Sequence, residues 1–203
     1  MTNTIHFCIV LEMKYLELKA KLRTNVFRLA DVYKYFPDEP AATVQMQLSR
    51  FVKRGLLNRL KRELYCFDLD QVEPFALANK LVEPSYVSLE TALNFYGMIP
   101  DIPQTVTSVT TAKTDEFNLK YGRFSFYSVK ERLYFGFVRR LGRSQEDHYL
   151  LAEPEKALLD WFYLRKLTDI ADLRLDLTRL DRSKLVKYQA LYPERVRRVK
   201  FYD

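Results

Sequence analysis

Leu11, Tyr15, Leu18 and Leu22 recur at i, i+4, i+7 and i+11, the spacing of one helical face, and predict a first helix. Downstream of Thr24 and Asn25, Leu29, Val32, Tyr33 and Phe36 form an i, i+3, i+4, i+7 stripe. Pro37 ends that second helix, because proline lacks the backbone donor and clashes with the preceding turn. Asp38, Glu39 and Pro40 then supply a start signal, acids near the positive end of a helix and proline where its missing N–H costs nothing. A third helix, with Val44, Leu48, Phe51 and Val52 as its buried stripe, runs to about Arg54 and closes at Gly55.

At 3.6 residues per turn, Thr43, Met46, Arg50 and Lys53 point away from that stripe, with Gln45 and Gln47 on its two flanks. Beyond Gly55, LLNRL and LYCF predict two short strands joined around Lys61, Arg62 and Glu63. The turn has neither Gly nor Asn, so a tight primed turn is not expected and the tip should be longer or bulged. Three helices followed by a basic hairpin is the order of a winged helix-turn-helix, in which the third helix enters the major groove and the wing neutralises phosphate beside it. On that reading Thr43, Gln45 and Gln47 contact base edges, and Arg50, Lys53, Arg59, Lys61 and Arg62 contact phosphates.

The polar, acidic stretch Asp68–Glu73 marks a boundary, giving an N-terminal domain over residues 1–70 and a second over 71–203. In the second, Phe75, Leu77 and Leu81 predict a helix ending before Pro84. Ser88 reads as the N-cap of another, carried by Leu89, Leu93 and Tyr96 and closed by Gly97 and Pro100. QTVTSVTT, GRFSFYSV, RLYFGFV and DHYLLA alternate and are rich in β-branched and aromatic residues, the pattern of strands. Pro154 opens a helix that buries Leu158, Trp161 and Phe162, and Ser183–Tyr192 forms a last one. The expected class is α+β, with a mostly antiparallel sheet between helices.

With 48% hydrophobic residues and only 5 Gly and 8 Pro in 203 positions, the chain belongs with folded globular proteins. Its net charge of +7 is concentrated: residues 1–70 carry 12 basic against 8 acidic side chains. Six cations fall between Arg50 and Arg62 without one acid. Cys8 and Cys66 lie far apart in apolar company, and His6 and His148 are the only histidines, so neither a disulfide framework nor a Cys/His metal set is indicated. The apolar run at residues 5–11 is about a third of the ~20 residues a membrane span needs, which predicts a cytoplasmic protein without a membrane partner.

Catalytic patterns are thin. A metal-dependent nuclease of the PD-(D/E)xK type needs an acid followed by an acid-x-Lys pair, whereas the Glu-x-Lys triplets ending at Lys14 and Lys19 precede Pro100-Asp101. Neither histidine has nucleophile partners placed around it, and no Gly-rich phosphate loop occurs. Lys156 and Asp160 read as an i, i+4 ion pair on a helix flank, and RVRRVK at residues 195–200 as a solvated basic patch. The expectation is a protein that is not an enzyme and has no cofactor. Alternatives are a metal-dependent nuclease of a defence system, or a protein-interaction module that does not bind DNA.

The stretch YVSLETALNFYGMIPDIPQTVTSVTTAKTDEFNLKYGRFSFYSVK, residues 86–130, followed by EPEKALLDWFYL, residues 153–164, resembles the second domain of the AbiEi-type antitoxins. That family belongs to type IV toxin-antitoxin and abortive-infection systems and is also described as predicted transcriptional regulators of viral defence. The resemblance implies an N-terminal winged helix that binds inverted repeats in the operon's own promoter. It further implies a C-terminal domain that neutralises a nucleotidyltransferase-like toxin, directly or indirectly. It carries over no catalytic residue. The glycine common at the family's wing turn is replaced here by Arg62 and Glu63.

Overall fold

The computed structural model of the protein describes residues 15–142, 147–171 and 173–202. Leu11 of the first predicted helix, the apolar run 5–11, His6 and Cys8 lie outside the described residues. The chain divides into two compact units, residues 1–73 with 143–147 and residues 74–142 with 148–203.

In the first unit, helix α1 (described over residues 15–22) buries Leu18 and Leu22, the inward positions of its predicted stripe. Strand β1 (Val26–Arg28) follows, an element that the hydrophobic pattern did not predict. Three residues are too few to display a period of two. Val26 and Phe27 are nevertheless fully buried, and β1 earns its place by pairing with a later strand. Helix α2 (Leu29–Tyr35) starts immediately after it, and the Asp31 carboxylate accepts the Arg28 N–H at 3.0 Å.

Helix α3 (Ala41–Lys53) begins behind Pro40 and buries Val44, Leu48 and Phe51. It ends in a paired hydrogen-bond motif: the Leu56 amide donates to the Phe51 carbonyl at 2.9 Å and the Gly55 amide to Val52 at 3.0 Å. Gly55 sits at φ +73°, which a residue without Cβ adopts at little cost. Strands β2 (Asn58–Lys61) and β3 (Leu64–Cys66) complete a three-stranded antiparallel sheet in the order β1-β3-β2.

The hairpin tip differs in part from expectation. The loop is short, Arg62 and Glu63 only, since Lys61 pairs with Leu64. The bulge is present, but in the strand, where the register shifts between Arg59 and Lys61. Glu63 takes φ +61° without being glycine, and its carbonyl accepts the Leu29 N–H at 2.9 Å, an anchor that helps hold the conformation. Beneath the helices, Phe27 and Tyr65 stack at 5.9 Å and Tyr15 meets Phe51 edge-on at 5.6 Å.

The second unit opens with α4 (Pro74–Leu81), β4 (Ser85–Val87) and α5 (Leu89–Phe95). Strands β5 (Thr105–Thr110), β6 (Asp115–Leu119), β7 (Gly122–Ser128), β8 (Phe137–Leu141) and β9 (His148–Ala152) come next. Helices α6 (Pro154–Arg165), α7 (Arg182–Gln189) and α8 (Glu194–Arg197) finish the chain. The class is mixed α+β. The sheet order is β6-β7-β5-β4-β9-β8.

Antiparallel and parallel pairings alternate across that sheet, with β5·β7 and β4·β9 parallel, so it is mixed where a mostly antiparallel one was expected. The cause lies in two strands the pattern did not reveal. DEFNL, the polar edge strand β6, turns back into β7 and sets it parallel to β5. The short buried β4 then sits between β5 and β9. RLYFGFV is a strand only from Phe137 onward: Glu131–Leu133 form a 3-10 turn and Gly136 stands at φ +70°. A Cβ on Gly136 would come within 3.1 Å of the Tyr188 ring and 3.2 Å of the Lys156 stem. Gly136→Ala is therefore expected to lower stability by roughly 1–3 kcal/mol, through crowding and backbone strain. The check is a lower urea midpoint at unchanged slope.

Candidate nucleic-acid interface and buried charge network

The outward face of α3 begins with its sequence. Because Val44, Leu48 and Phe51 face the core, Met46, Arg50 and Lys53 are carried into solvent, while Thr43 and Gln47 lie half-buried along one flank. Gln45 occupies the other flank, where its amide donates to the Tyr33 hydroxyl at 3.0 Å, tying it to α2. Arg50 and Lys53 have no ion pair or hydrogen-bonded side chain among the described residues. Among the described residues the helix thus presents two unneutralised cations with Thr43 and Gln47 beside them, while Gln45 is bonded to α2.

In the hairpin, Arg59 is exposed and its Nε donates to the Lys61 carbonyl at 3.4 Å. Lys61 is half-buried. Arg62 stands 3.6 Å from the Glu63 carboxylate, both side chains well in solvent, a pairing contributing about 0–1 kcal/mol and easily exchanged for an outside anion. The predicted site residues therefore fall into two groups, Thr43, Gln47, Arg50 and Lys53 on α3 and Arg59, Lys61 and Arg62 on the hairpin, with Gln45 turned toward α2.

A second cluster escaped the sequence reading. Lys156 and Asp160, expected on a helix flank, are both fully buried. The Asp160 carboxylate receives Lys156 Nζ and the Tyr192 hydroxyl (2.7 Å) on one oxygen, and the hydroxyls of Tyr86 (2.9 Å) and Ser88 (2.8 Å) on the other. Lys156 also donates to Tyr192 at 2.6 Å, and the rings of Phe135, Tyr192 and Tyr86 lie 5.0, 5.1 and 5.4 Å from its ammonium. Ser88, read as an N-cap, makes no capping bond because its hydroxyl is committed here.

Burial pulls the Lys156 ammonium below its ordinary pKa, opposed by the Asp160 charge. Burial and then the same charge push Tyr86 and Tyr192 well above the usual phenol range. With no exposed atom, the ammonium is closed to solutes, so the cluster acts as a polar rivet between β4, α6 and the segment after α7. In the structure α6 buries Glu155, Lys156, Ala157, Leu158, Leu159 and Asp160 consecutively, all round its axis, as a central helix does, which the pair's i, i+4 spacing alone does not reveal. Its partners, 32 to 74 residues away, could not be read from spacing.

Elsewhere, RVRRVK turns two valines inward and Arg195 donates to the Tyr163 carbonyl at 2.9 Å, leaving Arg197 and Lys200 exposed. Burial, and then the Asp68 charge, push the Cys66 thiol up to about 12, so it stays protonated. Among the described residues, no three His, Cys, Asp or Glu side chains are grouped to hold a metal ion, and no helix is long and apolar enough to cross a membrane. Compared with known proteins, the chain matches no family model and no curated protein.

Proposed function

We propose that this protein is a DNA-binding antitoxin that represses its own operon, in the manner of the AbiEi-type regulators that residues 86–130 and 153–164 resemble. The observation that carries the DNA half is the outward face of α3, acid-free, with Arg50 and Lys53 unpaired among the described residues beside Thr43 and Gln47. The order α1-β1-α2-α3-β2-β3, with β1 added to the hairpin sheet, supports reading the first unit as a winged helix-turn-helix. In that reading α3 lies in the major groove, Thr43, Gln45 and Gln47 face base edges, and Arg50, Lys53, Arg59, Lys61 and Arg62 neutralise phosphates. Gln45 would exchange its Tyr33 bond for a base edge on docking.

The second unit supplies neutralisation of a nucleotidyltransferase-like toxin encoded beside it, without catalysis of its own, in the cytoplasm. The resemblance supports the neutralising role, and the closure of Lys156 from solvent supports only the absence of a role for that lysine in catalysis. Binding of the full chain to a duplex from its own upstream region, compared with a shuffled duplex, tests the DNA reading. The expected ratio is roughly 10³ or more, with affinity falling steeply as salt rises. Equal affinity for both duplexes would leave a sequence-independent DNA binder and remove the autorepressor reading, and no binding at low salt would leave an interaction module instead. Rescue of growth when the neighbouring toxin is co-expressed tests the second half separately.

A further inference from the structure

A cleft of about 440 Å³ opens in the second unit over Trp161, a volume within the range of small-molecule sites. Its floor is preset. The Trp161 indole N–H donates to Glu90 at 2.9 Å, and Arg165 reaches both oxygens of the same carboxylate at 2.7 and 3.2 Å. Arg165 also donates to the Tyr127 hydroxyl at 2.8 Å, with its guanidinium 4.6 Å from that ring's centre. Glu90 is thereby consumed, and the floor offers a fixed aromatic surface without a net charge. Ile99, Pro103 and Leu173 form apolar walls.

The rim behaves differently. Asp101 and Arg174 stand 3.6 Å apart with side chains 74% and 78% exposed, so little is lost when they part. Their backbones are held: the Asn94 amide donates to the Asp101 carbonyl at 3.1 Å, and the Asp176 N–H to the Met98 carbonyl at 2.8 Å joins the two rim segments. A carboxylate and a guanidinium on tethered segments above an apolar, aromatic floor complement a molecule carrying an ammonium and a carboxylate on one end and an apolar group on the other. With acids and bases balanced in the lining, a polyanion gains nothing there.

We propose that this cleft binds a small zwitterion of the free α-amino acid class with an apolar side chain, its ammonium on Asp101, its carboxylate on Arg174 and its side chain against Trp161. The site stands independently of duplex binding. Trp161 is the only tryptophan in the chain and reports on the cleft directly. Titrating the full chain with L-phenylalanine and L-leucine, excited where tyrosine does not absorb, is expected to give saturable emission changes with a Kd near or below about 1 mM for at least one of them. Analogues of that ligand lacking either the amine or the carboxylate should bind roughly tenfold or more weakly. Asp101→Asn and Arg174→Gln, both at exposed positions, should each weaken binding about tenfold with an unchanged circular dichroism spectrum. No saturation by either amino acid up to about 10 mM, analogues binding as well as the parent ligand, or variants indistinguishable from the original chain would each overturn the assignment.

Discussion

Replacing Asp160 by alanine is expected to destabilise the second unit by about 3–5 kcal/mol, the usual consequence of removing one member of a buried ion pair. The loss is large because Lys156 would remain fully buried with only Tyr192 to bond, and Tyr86 and Ser88 would lose their acceptor together. Against the roughly 5–15 kcal/mol that holds a typical domain, this is enough to unfold a marginal one. Trp161 lies on α6 one residue from the network, so its fluorescence during urea denaturation follows the correct unit. A loss below about 1 kcal/mol would refute the rivet.

The companion double substitution separates charge from shape. Lys156→Met with Asp160→Leu removes both charges at similar volume and is expected to recover more than half of the lost stability, because buried pairs are costly to break and cheap to replace whole. Ser88 and the two tyrosines still lack an acceptor in that variant, which is why full recovery is not expected. Recovery of nothing would mean that the packing around α6, and not the pair, carries the effect.

Arg50→Ala with Lys53→Ala is expected to weaken binding to every duplex by roughly tenfold per cation at low salt, and to flatten the logarithmic salt dependence by about 0.9 per lost contact. Gln47→Ala should behave otherwise. It is expected to leave the salt slope alone and to erode the preference for the cognate duplex by about 1–3 kcal/mol if it reads a base edge. Anisotropy titrations at several salt concentrations distinguish the two patterns. An unaltered slope in the double variant would remove α3 from the interface.

How much of this was legible depends on the length of each signal. α3 declared itself because thirteen residues keep a continuous inward stripe and a glycine follows just past the Arg54 cap, the usual residue after a helix end. β1 and β4 are three residues each, shorter than any periodicity can register, and each is defined by its neighbours across the sheet. β6 was hidden differently: Asp115, Glu116 and Asn118 make an edge strand look like a loop, as charges on edges do. The cations of α3 were readable because exposure follows from the helical period, and Arg59 of the hairpin because it sits next to the inward Leu60 on an alternating strand. Lys156 and Asp160 were readable as a pair and misplaced, since the same i, i+4 spacing serves a surface and a core equally well.

The hydrogen bond from the Leu29 amide to the Glu63 carbonyl fastens the tip of the hairpin to the beginning of α2. The arm that carries Arg59 and Arg62 is consequently moored at its far end as well as at its base. If a duplex binds as proposed, it meets an arm with little backbone freedom left to quench, and most of the attraction between its phosphates and these side chains would survive as affinity.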